Sequence, residues 1–293
     1  MHPKIHTFLL VVAVFLLGFM ALRPSGTSES EPAKKSETAF ERVMRTRTIR
    51  CAYGYWPLRF MMDPVTKELS GTDYEIMEEI GRITGLKIVW DSEFAGPGVI
   101  PDQLATGKQD ACCVGLWSNA RRAQRLEFSV PIDYMPLYAY TREGDTRFDH
   151  NLAAINDGAV TIALAEGTAQ KAVADSNFPK AKQNALAQDQ SSQDAFLMVA
   201  MGKADIVFSD SAGAYNYNLH NPSHKLYRVL GDKPIKVFSN VLTTAKGETA
   251  LRDLLSTALQ ELQSDGTVDR ILNKYETEPG MVLRVATPYK TGE

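Results

Sequence analysis

The chain has 293 residues, 44% of them hydrophobic and 23% charged, enough to bury the core of one large or two ordinary domains and unlike the composition of a disordered chain. Its 32 basic and 35 acidic residues are interspersed and leave a formal net charge of −3. No basic surface is offered to a polyanion, so nucleic acid is not expected as a partner. Residues 8–22, FLLVVAVFLLGFMAL, form an uncharged apolar run behind His2, Lys4 and His6. Its length falls between the core of a secretory signal and the roughly 17–25 residues of a membrane span. Residues 1–24 are therefore read as a signal peptide or an N-terminal membrane anchor, and both readings export the remainder. No Cys follows the run, which argues against a lipid anchor. Residues 25–44, opened by a stretch rich in Ser, Glu, Pro and Lys, read as a flexible spacer.

Thr48 to Tyr53 has the pattern of a strand, and the turn leaving its carboxyl end carries Tyr53, Tyr55 and Trp56, candidates for a pocket wall as well as for core packing. Residues 62–71 read as a hairpin or loop. Asp73 is a good N-terminal residue for a helix over 74–84, whose Ile76, Ile80 and Ile83 recur at helical spacing and whose end is marked by Gly85. A strand over 86–90 completes one strand-helix-strand unit. A short helix over 99–106 is closed by Gly107, and Ala111 to Leu116 then forms an apolar run suited to a strand covered on both faces. Trp117, Ser118 and Asn119 leave it at its carboxyl end, where open α/β sheets bind ligands, so Arg122 lies near the mouth of a crevice. Tyr134 to Arg142 alternates and reads as an extended segment leaving the first domain.

Val160 to Ala165 reads as a strand delivering Gly167-Thr168 to a helix that runs to about Asp175. Free N–H groups and a hydroxyl there suit a carboxylate, although a plain helix cap would use the same residues. A helix over 195–201 and a strand over 206–209 follow, with Asp210 at the strand's carboxyl end. Gly-Lys-x-Asp thus occurs twice, at 107–110 and 202–205, each time between an apolar helix and a buried strand, which argues for two similar α/β lobes. Lys236 to Thr244 alternates and reads as a second crossover, and amphipathic helices are expected over 250–262 and 267–275. The remainder is a polar tail. His220 and His224 flank Asn221-Pro222, which breaks a helix, so a surface loop is expected there rather than a metal site. No C-x-x-C spacing is present and no nucleophile context emerges, so neither a metal, a cofactor nor catalysis is expected.

The ordered set Gly71-x-Asp73, Gly107-Lys108-x-Asp110, Arg122 six residues before Phe128-Ser129-x-Pro131, Gly167-Thr168, Gly202-Lys203-x-Asp205 with Asp210, and Leu262-Gln263-x-Asp265-Gly266-Thr267 resembles the family 3 extracellular solute-binding proteins, the polar amino-acid receptors of ABC importers. The resemblance spans roughly residues 45–275. It implies a periplasmic protein with the two-lobed α/β fold of type II periplasmic binding proteins: lobe 1 from 45–137 plus 241–280, lobe 2 from 138–240, two hinge strands between them and a tail over 281–293. It implies that Arg122 holds the α-carboxylate and Asp210 the α-amino group of a ligand, with Tyr53, Tyr55, Trp117 and Thr168 around it, and that the closed face meets an importer's membrane subunits. In that family's sheet the strands bearing Cys51 and Cys112-Cys113 run close together. This leaves a Cys51–Cys113 bridge and three buried thiols as the two readings.

Departures from the family pattern reshape the pocket. Trp117 replaces a small hydroxyl residue, Thr72 an aromatic and Ala169 a hydroxyl residue, and no acid is found near Ala52 or Gly54. An aromatic, less polar side-chain pocket follows, not one for Lys or Arg. Two other roles occur on related chains: a cyclohexadienyl-dehydratase-like enzyme, which needs a carboxylic acid in the cleft, and an accessory protein of a periplasmic quinoprotein dehydrogenase.

Overall fold

The computed structural model describes residues 37–286 except 95, 97, 188–191, 232 and 279. The export segment at 1–24, most of the spacer and the end of the tail lie outside the described residues. Among those described, no helix is long and apolar enough to cross a membrane.

A helix, α1 (Ala39–Thr46), occupies the last part of the stretch expected to be spacer. Thr38 and Glu41 form a reciprocal capping box, Val43 is fully buried, and the Ala39 N–H donates to Glu248 at 2.9 Å. Ala39 and Phe40 pack beside Val43 on the same core, so α1 has an apolar face that the reading as spacer missed. Then come β1 (Thr48–Tyr53), the hairpin β2 (Met61–Met62) and β3 (Leu69–Ser70), α2 (Thr72–Thr84), β4 (Lys87–Glu93), α3 (Ile100–Ala105), β5 (Ala111–Trp117), α4 (Ala120–Ala123) and the long β6 (Leu126–Arg142). After a 3-10 turn come β7 (Thr161–Ala165), α5 (Ala169–Asn177), β8 (Lys182–Leu186), α6 (Ser192–Ala200), β9 (Ile206–Ser209), α7 (Ser211–His220), β10 (Leu226–Arg228), β11 (Lys236–Ala245), α8 (Thr249–Ser264) and α9 (Thr267–Tyr275).

These strands make two parallel half-sheets joined by an antiparallel pair. The order is β4-β1-β5-β11-β6-β9-β7-β8, with β10 beside β6. Strands β4, β1 and β5 are mutually parallel, as are β9, β7 and β8, whereas β11 runs antiparallel to β5 and β6. The chain passes from one lobe to the other on β6 and returns on β11. Buried apolar residues divide largely accordingly, one main cluster drawing on residues 43–132 and 242–272 and another on 135–238 together with Trp117 at the end of β5.

The repeated Gly-Lys-x-Asp has one structural meaning. Gly107 and Gly202 adopt φ +68° and +71°, conformations in which a Cβ is strained. The aspartate beyond each then clamps the neighbouring parallel strand by two bonds. The Asp110 N–H donates to Arg50 O while its carboxylate accepts the Arg50 N–H, each at 2.8 Å. In the other lobe the Asp205 N–H donates to Thr161 O and its carboxylate accepts the Thr161 N–H, again at 2.8 Å. The motif therefore starts each half-sheet and lies outside the cleft lining. Ser129 and Pro131 have a comparable role in the hinge. The register of β6 against β11 shifts around Val241, and the Ser129 hydroxyl accepts the Leu242 N–H at 2.9 Å.

Two further expectations change. Residues 281–286 are not a free polar tail: Met281 is buried, and the N–H and carbonyl of Leu283 pair with those of Tyr134 on β6 at 2.7 and 2.8 Å. His220 is the last residue of α7 rather than part of a loop, its Nδ1 2.8 Å from Asn216 O.

Candidate functional site

The carboxyl ends of the parallel strands meet at a cavity of about 160 Å3 between the lobes. At about 30 Å3 per water, that is the room of about five waters, and a cavity of similar size admits a small organic molecule such as benzene. One wall comes from residues 54–57 after β1, Phe94, the centre and end of β5, and Arg122; the other from β7, the start of α5, the first turns of α6 and the β9–α7 junction.

Arg122 lies on the one-turn helix α4, whose N-cap Asn119 accepts the Arg122 N–H at 2.9 Å. That cap turns the guanidinium back over the strand end, where Nη1 donates to Trp117 O at 2.8 Å and Nη2 reaches Gly167 O of the other lobe at 3.5 Å. Burial pushes its pKa down to about 10, so the cation is held in a setting that favours an anion beside it. Facing it, Thr168 caps α5: its hydroxyl donates to Ala165 O at 2.7 Å and accepts the Lys171 N–H at 3.2 Å. The hydroxyl is thus engaged in the fold, while Ala169 and Gln170 of the first turn line the cavity.

Asp210 is the N-cap of α7, accepting the Gly213 N–H at 2.8 Å. Burial raises its pKa, opposed by that bond and by the charge of Arg59. A cation placed next to it would favour its ionised form. Tyr55, Trp117, Arg122, Thr168 and Asp210 all line this cavity. Tyr53 does not: its ring packs on Phe60 at 4.8 Å and Trp90 at 6.3 Å, because alternation along β1 points it to the opposite side from the cleft. Trp117 borders the cavity but is itself spoken for, stacked on Phe238 of β11 at 4.9 Å with Nε1 donating to the Met135 sulfur at 3.1 Å.

Cys51 and Cys113 form a disulfide between β1 and β5, with Cα atoms 5.4 Å apart, and Cys112 is a buried free thiol whose pKa burial raises to about 12. The bridge ties together the two strands whose ends carry the first wall.

Several residues here had no individual signal in the sequence. Phe94, Gln170, Gln193 and Ser209 line the cavity, and each follows from where a strand ends or a helix begins. Asp73 stands in the first turn of α2, as expected, but is fully buried and does not cap it. Its carboxylate accepts from Arg59 at 3.1 Å and from the Gly115 N–H at 2.8 Å, while the N-cap of α2 is Gly71, with no side-chain bond. The pKa of Asp73 is raised by burial and by Asp133, against the pull of Arg59.

Known proteins share this fold. The chain is similar to a probable histidine-binding protein of Campylobacter jejuni, 28% identical over 238 residues that make up 80% of this chain and 86% of the relative. It is similar to the L-cystine-binding protein TcyA of Bacillus subtilis, 24% identical over 73% of this chain and 75% of that one. Among solved structures, the ancestral amino-acid-binding protein AncCDT-1, a precursor of cyclohexadienyl dehydratase, superposes with a TM-score of 0.68 at 21% identity over 81% of this chain and 99% of its own; it shares the two-lobed fold. Residues 48–278 match the bacterial extracellular solute-binding proteins, family 3, and the chain belongs to that family.

Proposed function

We propose that this protein is the exported receptor of an ABC importer and that it closes over a free amino acid whose side chain carries no net charge. One observation carries the reading: among the described residues lining the cavity, Arg122 and Asp210 are the only charged ones, and they come from opposite lobes. A zwitterion has one group for each. Its carboxylate fits the Arg122 fork and the free N–H groups of the first turn of α5, and its ammonium fits Asp210. With both charges used, the rest of the ligand meets Tyr55, Trp56, Phe94, Gln170 and Gln193, which are aromatic or neutral. The two relatives are named a probable histidine-binding and an L-cystine-binding protein, and neither amino acid has a net side-chain charge at neutral pH.

Only a closed cleft lets the two anchors hold one molecule, so ligand favours closure and presents the closed face to the importer's membrane subunits. Residues 1–24 would lead the chain out of the cytoplasm as a signal or an anchor, which the N-terminal mass of the native protein decides. The dehydratase-like and dehydrogenase-accessory roles gain no separate support from the cavity: among its described lining residues the single carboxyl group is Asp210, which this reading assigns to the ligand's ammonium.

Calorimetry against the twenty amino acids and cystine tests the proposal. A neutral amino acid should bind, and Arg122→Ala should weaken it by about 2–5 kcal/mol. Binding restricted to lysine or arginine, or binding indifferent to Arg122→Ala, would overturn it.

A further inference from the structure

A charged cluster lies behind the cavity rather than in it. Arg59 is 2% exposed. Its guanidinium is bidentate with Asp133, at 2.8 and 2.9 Å, and also reaches Asp73 at 3.1 Å. Asp133 lies on β6 directly opposite Asn240 of β11. The Asn240 amide, oriented by its neighbours, accepts from Arg59 at 2.6 Å and donates to Gly115 O at 3.1 Å. One guanidinium therefore holds both hinge strands, the head of α2 and, through Asp73 and Asn240, the middle of β5.

The same residue is continuous with the cavity wall. Its guanidinium carbon lies 5.9 Å from the centre of the Trp56 ring, within cation–π range. Trp56 in turn packs on Trp117 at 5.9 Å, and Trp117 on Phe238 of β11. Residues 56–60 form one tight loop, with the N–H groups of Arg59 and Phe60 donating to Trp56 O and the Trp56 N–H to Phe60 O. Gly71, at φ +121°, approaches so closely that a Cβ there would stand 2.3 Å from Arg59 O. The contacts close a ring from one hinge strand, through Arg59 and the aromatic wall, to the other.

A buried ion pair adds little net stability over an apolar pair of the same shape. Fold stability alone therefore gives no reason to place a desolvated guanidinium under a hinge.

We propose that Arg59 is a positioning residue for lobe closure: without lining the cavity, it fastens the Trp56 wall to both hinge strands, so that hinge rotation carries wall and strands as one body. This goes beyond the assignment of a ligand and is testable without one.

Arg59→Met alone leaves Asp133 and Asp73 buried without their cation and is expected to fold poorly. The informative variants are Arg59→Met/Asp73→Asn/Asp133→Leu, which removes all three charges of the cluster, and Arg59→Lys, which keeps the charge but loses the two-armed contact. Each is measured by thermal melting, by small-angle scattering without ligand, and by tryptophan emission during titration with L-histidine and L-cystine. Expected are a melting temperature near the parent's in at least one variant, a larger radius of gyration, and at least tenfold weaker binding of whichever amino acid the parent binds. A well-folded variant with the parent's scattering curve and emission would overturn the proposal, leaving Arg59 a purely structural residue. If neither amino acid binds the parent, scattering still decides, and the ligand reading fails separately.

Discussion

Breaking the Cys51–Cys113 bridge tests the connection between the core of lobe 1 and the cavity wall. The two residues are 62 positions apart in sequence. Closing a loop of that length in the unfolded chain corresponds to about 4 kcal/mol of stability at 25 °C in the chain-entropy treatment. For a body of this size, that is a fall in melting temperature of about 8–16 °C. Both sulfurs are fully buried, so reductant should act slowly on the folded protein and quickly once it opens. Thiol titration in denaturant gives the first reading: of the three cysteines in the sequence, Cys112 alone should react before reduction and all three after it. Melting of the oxidised protein against Cys51→Ala/Cys113→Ala gives the second. Because β1 and β5 end in Tyr55–Trp56 and Trp117–Arg122, the variant should also bind its amino acid more weakly at temperatures where it remains folded. Three reactive thiols in the unreduced protein, or a variant that melts with the parent, would refute this account.

Two further outcomes are expected. Asp210→Asn keeps a good helix cap but removes a carboxylate whose pKa burial has raised. The folded wild type binds more protons than the unfolded chain above the ordinary aspartate pKa, so its stability falls as pH rises through that window. The variant should therefore gain on the wild type with rising pH and should lose at least tenfold in amino-acid affinity; parallel melting profiles between pH 4 and 8 would contradict the first part. Asp205 behaves oppositely: burial works against its charge, but Arg147 and the Thr161 N–H outweigh that and hold its pKa low. Asp205→Ala should cost about 1–3 kcal/mol above pH 4, with the difference closing on acidification below that and binding at saturation unchanged.

Periodic segments were the legible part of this sequence. The helix Thr267–Tyr275 follows directly from Gly266 and its apolar stripe; alternation gives the crossover strand β11 and the 134–142 half of β6, whose first half, from Leu126, it does not give. Helix α7 is hidden, because Ser-Ala-Gly-Ala-Tyr-Asn-Tyr-Asn has no apolar stripe and carries a glycine and two asparagines; its Asp210 cap and the burial of Ala212, Ala214 and Tyr217 hold it. Strand β8, an exposed edge reading Lys-Gln-Asn-Ala-Leu, is hidden for want of buried positions. At the site, strand ends located Arg122 and Asp210, since a chain leaving a buried strand has one place to go. They did not locate Tyr53, for which a single step of alternation decides between cavity and core. Nor did they reveal Arg59, whose partners Asp73 and Asp133 lie 14 and 74 residues away; long-range charge pairing leaves no local pattern.

Strand β11 pairs with β5 as well as β6, with Thr243 opposite Cys112. A growing chain that has not reached Lys236 already contains β7, β8 and β9 entire, yet the first half-sheet lacks its neighbour and the covering helices α8 and α9. The lobe that begins first is completed last. An insertion-like middle section can be assembled while its host waits, tethered by a bridge that needs nothing beyond residue 113.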